Sequence, residues 1–134
     1  MTQVIIFTTN NGNVALCIPT GEIPIEQVLI KDCPPGAIIV DESILPQGAD
    51  AEFFDAWRLN GDTVSVDFES AKADKLERYN ASAVYVAQKR QLNTLSGIDN
   101  EVDDATWIAK LTSDRKLIAD ATTTDQLVAI VNPK

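Results

Sequence analysis

Histidine is absent from this 134-residue chain. That removes the usual general base, the Ser-His and Cys-His pairs, and the commonest neutral metal ligand. There are only two cysteines, Cys17 and Cys33, too few for a zinc site without other ligands. Cys17 sits in an apolar strand pattern, and Cys33 precedes Pro34-Pro35 in a turn. A disulfide between them is open on the sequence, although a reducing compartment would keep both as thiols. No apolar run approaches the roughly 18 residues that read as a membrane span. The opening Met-Thr-Gln-Val-Ile-Ile lacks the basic start and long apolar core of a secretory signal and reads as a strand. Neither a G-x-x-x-x-G-K-[ST] phosphate loop nor a G-x-G-x-x-G fingerprint occurs. The acidic pairs Asp41-Glu42 and Asp103-Asp104 are sequence neighbours, which fixes no separation across a cleft. The expectation is a chain that is no enzyme and carries no cofactor and no metal.

Positive charge is also scarce, and it is unevenly placed. The net charge is −9. Residues 1–68 hold two basic side chains, Lys31 and Arg58, against ten acidic ones, while residues 69–134 hold nine basic and ten acidic. A surface of one negative sign repels phosphate backbones. Direct nucleic-acid binding is therefore not expected, and neither is membrane association.

What is present is an organised α+β pattern. The short β-branched runs Val4–Thr9 and Val14–Ile18 flank Asn11-Gly12, which predicts a hairpin with a two-residue type I′ turn. Ile23–Lys31 reads as a short helix with Pro24 at its first position, stopped by Cys33-Pro34-Pro35-Gly36. Ala37–Val40 reads as a buried strand. Asp50 is placed to cap a second short helix, Ala51–Arg58, carrying Phe53, Phe54 and Trp57. Asn60-Gly61 and the alternation Val64-Ser65-Val66 predict a further hairpin. This makes residues 1–66 a small antiparallel or mixed β lobe of about four strands with two short helices.

From Asp67 the period changes, and residues 67–134 read as a helical lobe that could form one compact domain with the first. A helix from Asp67 to about Leu95 carries Leu76, Tyr79, Ala83, Val86 and Ala87 on one stripe. On its opposite side Ala81, Tyr85 and Leu92 fall within a sector of about 40°, with Arg78, Gln88 and Lys89 beside them. Arg78, Ala81, Tyr85, Lys89 and Leu92 are accordingly the candidate partner interface. Asp99–Asp104 is an acidic linker. It lacks the Gly and Glu spacing of a calcium loop and suits the N-terminus of a following helix, Ala105–Ala119. In that helix Trp107, Ile108, Leu111, Arg115 and Ile118 form a stripe. Thr123 with Gln126 has capping-box spacing, ahead of a short closing helix in which Leu127, Ile130 and Val131 pack.

The stretch FTTNNGNVALCIPTGEIPIEQVLIKDCPPGAIIVDESILP, followed by FFDAWRLNGDTVSVDFESAK, resembles small proteins of tailed bacteriophages. The shared pattern is a Tyr/Phe-Pro/Thr-Thr strand, an Asn/Asp-Gly turn, Ile-Glu-x-x-x-x-Lys-Asp-x-Pro-x-Gly, an Ile-Val-Asp strand and a Phe-x-x-Ala-Trp helix. The segments KRQLNTLSGID and LTSDRKLIADATTTDQLVAI are similar to C-terminal helical segments of phage tail and tail-fibre-assembly proteins. The resemblance covers most of the chain and departs at Thr8, where Pro is common, and at Cys33, where Val is common. It implies a tail-associated virion structural protein (baseplate, fibre or fibre adaptor), located in the virion tail and in host cytoplasm during assembly. Its partners would be other phage tail proteins or itself. Two alternatives remain at this point: a tail-fibre assembly chaperone, and an acidic inhibitor of a host nucleic-acid-binding protein.

Overall fold

A computed structural model describes residues 2–134. The chain is α+β: antiparallel strands come first and helices follow. It divides into two compact units, one reaching Ala71 and the other Lys72–Lys134, so the helical unit starts a few residues later than the change of period suggests.

In the first unit β1 (Gln3–Thr8) pairs antiparallel with β2 (Val14–Cys17) and, on its other edge, with β3 (Ile38–Asp41). The hairpin between β1 and β2 forms, but not through a two-residue turn. Asn11 keeps a negative φ, and only Gly12 is left-handed, at +84°. The loop is Asn10-Asn11-Gly12, closed by Thr9 N–H donating to the Asn13 carbonyl at 2.8 Å and Gly12 N–H donating to the Thr9 carbonyl at 3.0 Å. A three-residue loop needs just one left-handed position, and Gly fills it without a Cβ penalty. The second hairpin joins β4 (Trp57–Asn60) to β5 (Thr63–Val66). Its two-residue loop is Gly61-Asp62, with φ +64° at Gly61, the first central position, where a type II′ turn requires Gly.

Strand alternation gives the three-stranded sheet two apolar faces. Val4, Ile6 and Val14 cluster with Trp57 and Val64 of the second hairpin, and Leu16, Ile38, Val40 and Leu59 pack around them. Ile5 points the other way and is fully buried. The helix α1 (Ile25–Asp32) lies against β1 and β3, so it covers that second face. Pro24 is its N-cap rather than its first residue, and Cys33, at ψ 149°, ends it because a residue before proline avoids the helical region. α1 is lightly anchored: Val28 is its one buried residue, and Ile30 is 84% exposed.

Ala51–Arg58 is not an α-helix. The segment forms 3-10 helices at Gly48–Glu52 and Phe54–Ala56, and Trp57 already begins β4. A third 3-10 helix, Glu42–Ile44, follows β3. Phe53 and Ala56 are buried, and the Trp57 indole N–H donates to the Asp50 carbonyl at 2.9 Å. Burying Phe53 and Trp57 while satisfying that indole outweighs the weak preference of a short segment for an α-helical turn. Among the described residues the unit therefore has five strands and one short α-helix, with 3-10 helices where a second short helix was expected.

Burial ranks the side chains that hold this unit. Ile6→Ala should cost about 2–5 kcal/mol, whereas Ile30→Ala should stay within about 0.5 kcal/mol. Urea unfolding followed by circular dichroism reads both.

Candidate functional site

The helical unit contains most of α2 (Phe68–Leu95), with α3 (Asp104–Asp120) and α4 (Thr124–Ala129). Asp67 precedes α2, as expected, and its carboxylate accepts the Ser70 hydroxyl at 2.7 Å. α2 stops at Ser96-Gly97. Gly97 has φ +74°, and Ile98 N–H returns to the Asn93 carbonyl at 2.8 Å, the long-range bond of a Schellman ending. The acidic linker then caps α3: Asp103 accepts Thr106 N–H at 2.9 Å, and this bond holds its carboxyl below the usual range. α4 starts with Thr123 accepting Gln126 N–H at 3.2 Å, while Gln126 Oε1 reaches back to Thr122 N–H at 2.6 Å.

α2 and α3 run antiparallel, and polar bonds set their register. Lys72 Nζ donates to the Ala119 carbonyl at 3.0 Å, Tyr79 OH to Asp114 Oδ2 at 2.6 Å, and Arg115 Nε to Asn80 Oδ1 at 3.0 Å. At the far end Arg90 donates to Asp104 at 2.6 Å and lies 5.1 Å from the Trp107 ring centre. Between these, Tyr79, Ala83 and Val86 are buried on α2, and Leu111 and Ile118 on α3.

The expected inner stripes need two corrections. Leu76 is 38% exposed, while Lys75 takes its place inside, with Nζ donating to the Ile130 carbonyl and to Asn132 Oδ1. On α3 Arg115 and Ile108 are exposed, and the residue turned inward is Asp114. Apolarity drives the choice elsewhere. Here a buried hydroxyl and carboxylate that bond each other are a satisfied pair, whereas Arg115 reaches water while bonding Asn80. In α4 Leu127 and Ile130 are buried as expected, but Val131 is 62% exposed.

Asp114 is the electrostatic centre of this unit. Burial pushes its carboxyl up, but hydrogen bonds from Tyr79 and Lys110, with the charges of Lys110 and Lys75, outweigh burial and leave it below the usual range. Burial, followed by the hydrogen bond to Asp114, pushes the Tyr79 phenol up. Both groups therefore stay in the protonation states that their bond requires.

The outer side of α2 carries the candidate interface. Arg78, Ala81, Tyr85, Lys89 and Leu92 are all exposed. Tyr85 is 64% and Leu92 63% exposed. Val84 and Leu95 extend the same side, and Leu95 is more exposed still, at 78%. Arg78, Ala81, Tyr85, Gln88, Leu92 and Leu95 follow one another in alternating steps of three and four, the spacing of a helix-pairing seam. Leu95 lies outside the sector drawn from Ala81, Tyr85 and Leu92. Counting steps of three and four from Arg78 would have included it. Next to Leu95 a shallow groove of about 390 Å³ is lined by Gln91, Thr94, Trp107 and Ile108, which continues the apolar surface onto α3. Arg78 is braced by Asp74 at 2.6 Å, one turn earlier.

A second feature is an open cleft of about 590 Å³ beside Trp107, with Lys89, Arg90 and Lys110 among its walls. Arg90 is paired with Asp104 and Lys110 with Asp114. Among the described residues no group of three or more His, Cys, Asp or Glu side chains is arranged to hold a metal ion, and no helix is long and apolar enough to cross a membrane. Compared with protein-family models, curated proteins and solved structures, the chain matches none.

Because folding lowers the Asp114 pKa, its contribution is fully present above the unfolded value of about 3.9 and is lost as pH falls through the folded one. Asp114→Asn should therefore cost about 1–3 kcal/mol near neutral pH, with the gap to the parent protein narrowing below pH ~4. Urea titrations at a series of pH values measure it.

Proposed function

We propose that this chain is a tail-associated structural protein of a tailed bacteriophage, a baseplate, fibre or fibre-adaptor component. It acts by association with a neighbouring tail protein or with itself, and catalyses no reaction. The observation that carries the association is the outer face of α2. Tyr85, Leu92 and Leu95 are each more than 60% exposed, at helix-pairing spacing and on the side opposite the packed seam with α3. A helix 28 residues long presents this strip over several turns, and large side chains left bare in such an order mark a surface built to be covered. The assignment to a phage tail rests on the sequence resemblance: the Phe7-Thr8-Thr9 strand, the Ile25-Glu26 to Gly36 segment, the Phe53 to Trp57 segment and the two C-terminal helical segments.

The role follows from this face. Tyr85 is the central anchor, since tyrosine brings area and a hydroxyl at low entropic cost. Leu92 and Leu95 supply apolar area towards the end of the helix. Arg78 and Lys89 sit at the rim, where long side chains shield the apolar strip and keep their charges in water. The acidic first unit keeps the protein from phosphate backbones, which leaves polypeptides as the partners. The place of action is the virion tail, reached by way of the host cytoplasm.

Mass spectrometry of purified virions tests the tail assignment, with the chain expected at a fixed copy number. Presence only in lysates, with insoluble fibres when the chain is deleted, would instead identify an assembly chaperone and sink the structural role. The face is tested separately. Tyr85→Ala with Leu92→Ala should weaken association about 30-fold or more and leave the circular dichroism spectrum and urea midpoint of the protein unchanged. Normal association by the double variant would rule this face out.

A further inference from the structure

The outer face of α2 is complementary to itself when the helix is turned end for end. Its seam runs Arg78, Ala81, Tyr85, Gln88, Leu92 and Leu95, all exposed. A two-fold axis midway between Tyr85 and Gln88 pairs each position with the one equally far on the other side. Arg78 then meets the partner's Leu95, Ala81 the partner's Leu92, and Tyr85 the partner's Gln88. Each layer sets a large side chain against a smaller or polar one. The leucine fills the space above the alanine, and the tyrosine hydroxyl gains an amide to bond. Knobs-into-holes packing needs this alternation of sizes. Helices aligned in the same direction would instead set Arg78 on Arg78 and Ala81 on Ala81, with like charges together and a gap at the alanines.

Charge points the same way. The last turn of α2, residues 92–95, holds no basic residue, so nothing on that turn balances the negative end of the helix. The linker beyond it adds Asp99 and Glu101, both exposed. Arg78 is steadied by Asp74 at 2.6 Å, and its guanidinium keeps further N–H donors. End-for-end pairing sets it beside the partner's acidic helix end, whereas parallel pairing would bring the two acidic linkers together. The groove next to Leu95 fits as well. Gln91 and Ile108 are among its walls, and Ile108 is 55% exposed. Val84, 57% exposed, flanks the seam on the same side as Gln91. In the turned pair the Val84 of each copy therefore meets the Gln91 wall of the other's groove.

We propose that α2 pairs antiparallel with the α2 of a second copy, so that the protein is a two-fold dimer before it meets any other partner. This rests on the outer face being the association surface, and it adds what covers that face and in which direction. The contact between positions 78 and 95 is about 25 Å long. Both copies use the same residues, so the assembly closes at two and does not propagate. A dimer also presents every other surface of the chain twice, which raises its avidity for a multimeric neighbour.

Sedimentation equilibrium of the purified full-length chain is expected to give a dimer with a micromolar dissociation constant. Leu92→Ala should weaken it about 10-fold, because Ala81 is left facing an alanine. Ala81→Leu combined with Leu92→Ala rebuilds that layer with its members exchanged, and most of the affinity should return. Direction is read by a nitroxide on Ala73→Cys, in a chain carrying Cys17→Ser and Cys33→Ser. The turned pair should give an electron–electron distance of about 40 Å, against less than about 20 Å for a parallel pair. A monomer at every concentration, no recovery in the exchanged variant, or the short distance would each overturn the proposal. If the parent chain stays monomeric while Tyr85→Ala with Leu92→Ala loses a tail partner, the face stands and self-pairing alone falls. If that double variant dimerises as the parent does, the face falls with it.

Discussion

The hydrogen bond between Tyr79 and Asp114 fixes how the helical unit is put together. It joins the middle of α2 to the last half of α3, and both groups are withdrawn from water. Sliding α3 by one residue would leave a buried hydroxyl and a buried carboxylate without each other, a loss of several kcal/mol in total. An all-apolar seam would impose no comparable penalty on slippage. The pair thus sets the register, and the register decides which side of α2 is consumed by packing. Tyr85 and Leu92 lie outside because Tyr79, Ala83 and Val86 are already committed to α3 and to the closing segment.

Such a helix has two apolar sides and only one intramolecular use for them. The inner side meets α3 and, through Lys75, the Ile130–Asn132 segment. The outer side keeps Val84, Tyr85, Leu92 and Leu95 in solvent. This explains why a helical unit with so few fully buried large residues can carry so many exposed ones. The first unit differs. Its sheet is covered on both faces, by the β4–β5 hairpin on the Val4–Ile6 side and by α1 on the Ile5 side. Its exposed large apolar residues, Ile18, Ile23, Ile30, Ile44 and Phe54, are scattered over loops and short helices and form no strip along one element.

Much of this was legible in the residues. The bounds of α2, its stop at Ser96-Gly97 and its outward-facing residues follow from helical period and capping chemistry, which are local. The strands were legible from their β-branched runs. Several of the failures share a cause: a distant partner decided them. Asn11-Gly12 looks like a two-residue turn until the bond from Thr9 N–H to the Asn13 carbonyl leaves three residues between them. Phe53 to Trp57 has helical spacing, but Trp57 pairs with Val66 and so belongs to a strand. Asp114 and Lys75 are charged residues that no hydrophobicity pattern would put inside, and only their partners explain them.

The contact from Lys75 to Ile130 spans 55 positions, and that has a consequence for synthesis. α2 leaves the ribosome long before the segment that receives its lysine, and α4, six residues long, is too short to hold a helix unaided. Until α3 has emerged, the inner side of α2 is as uncovered as the outer one, and the stretch around Lys75 stays open until residue 132 follows. A nascent chain in this interval offers two sticky sides instead of one, so premature pairing between neighbouring polysomal copies is the hazard that this architecture has to outrun.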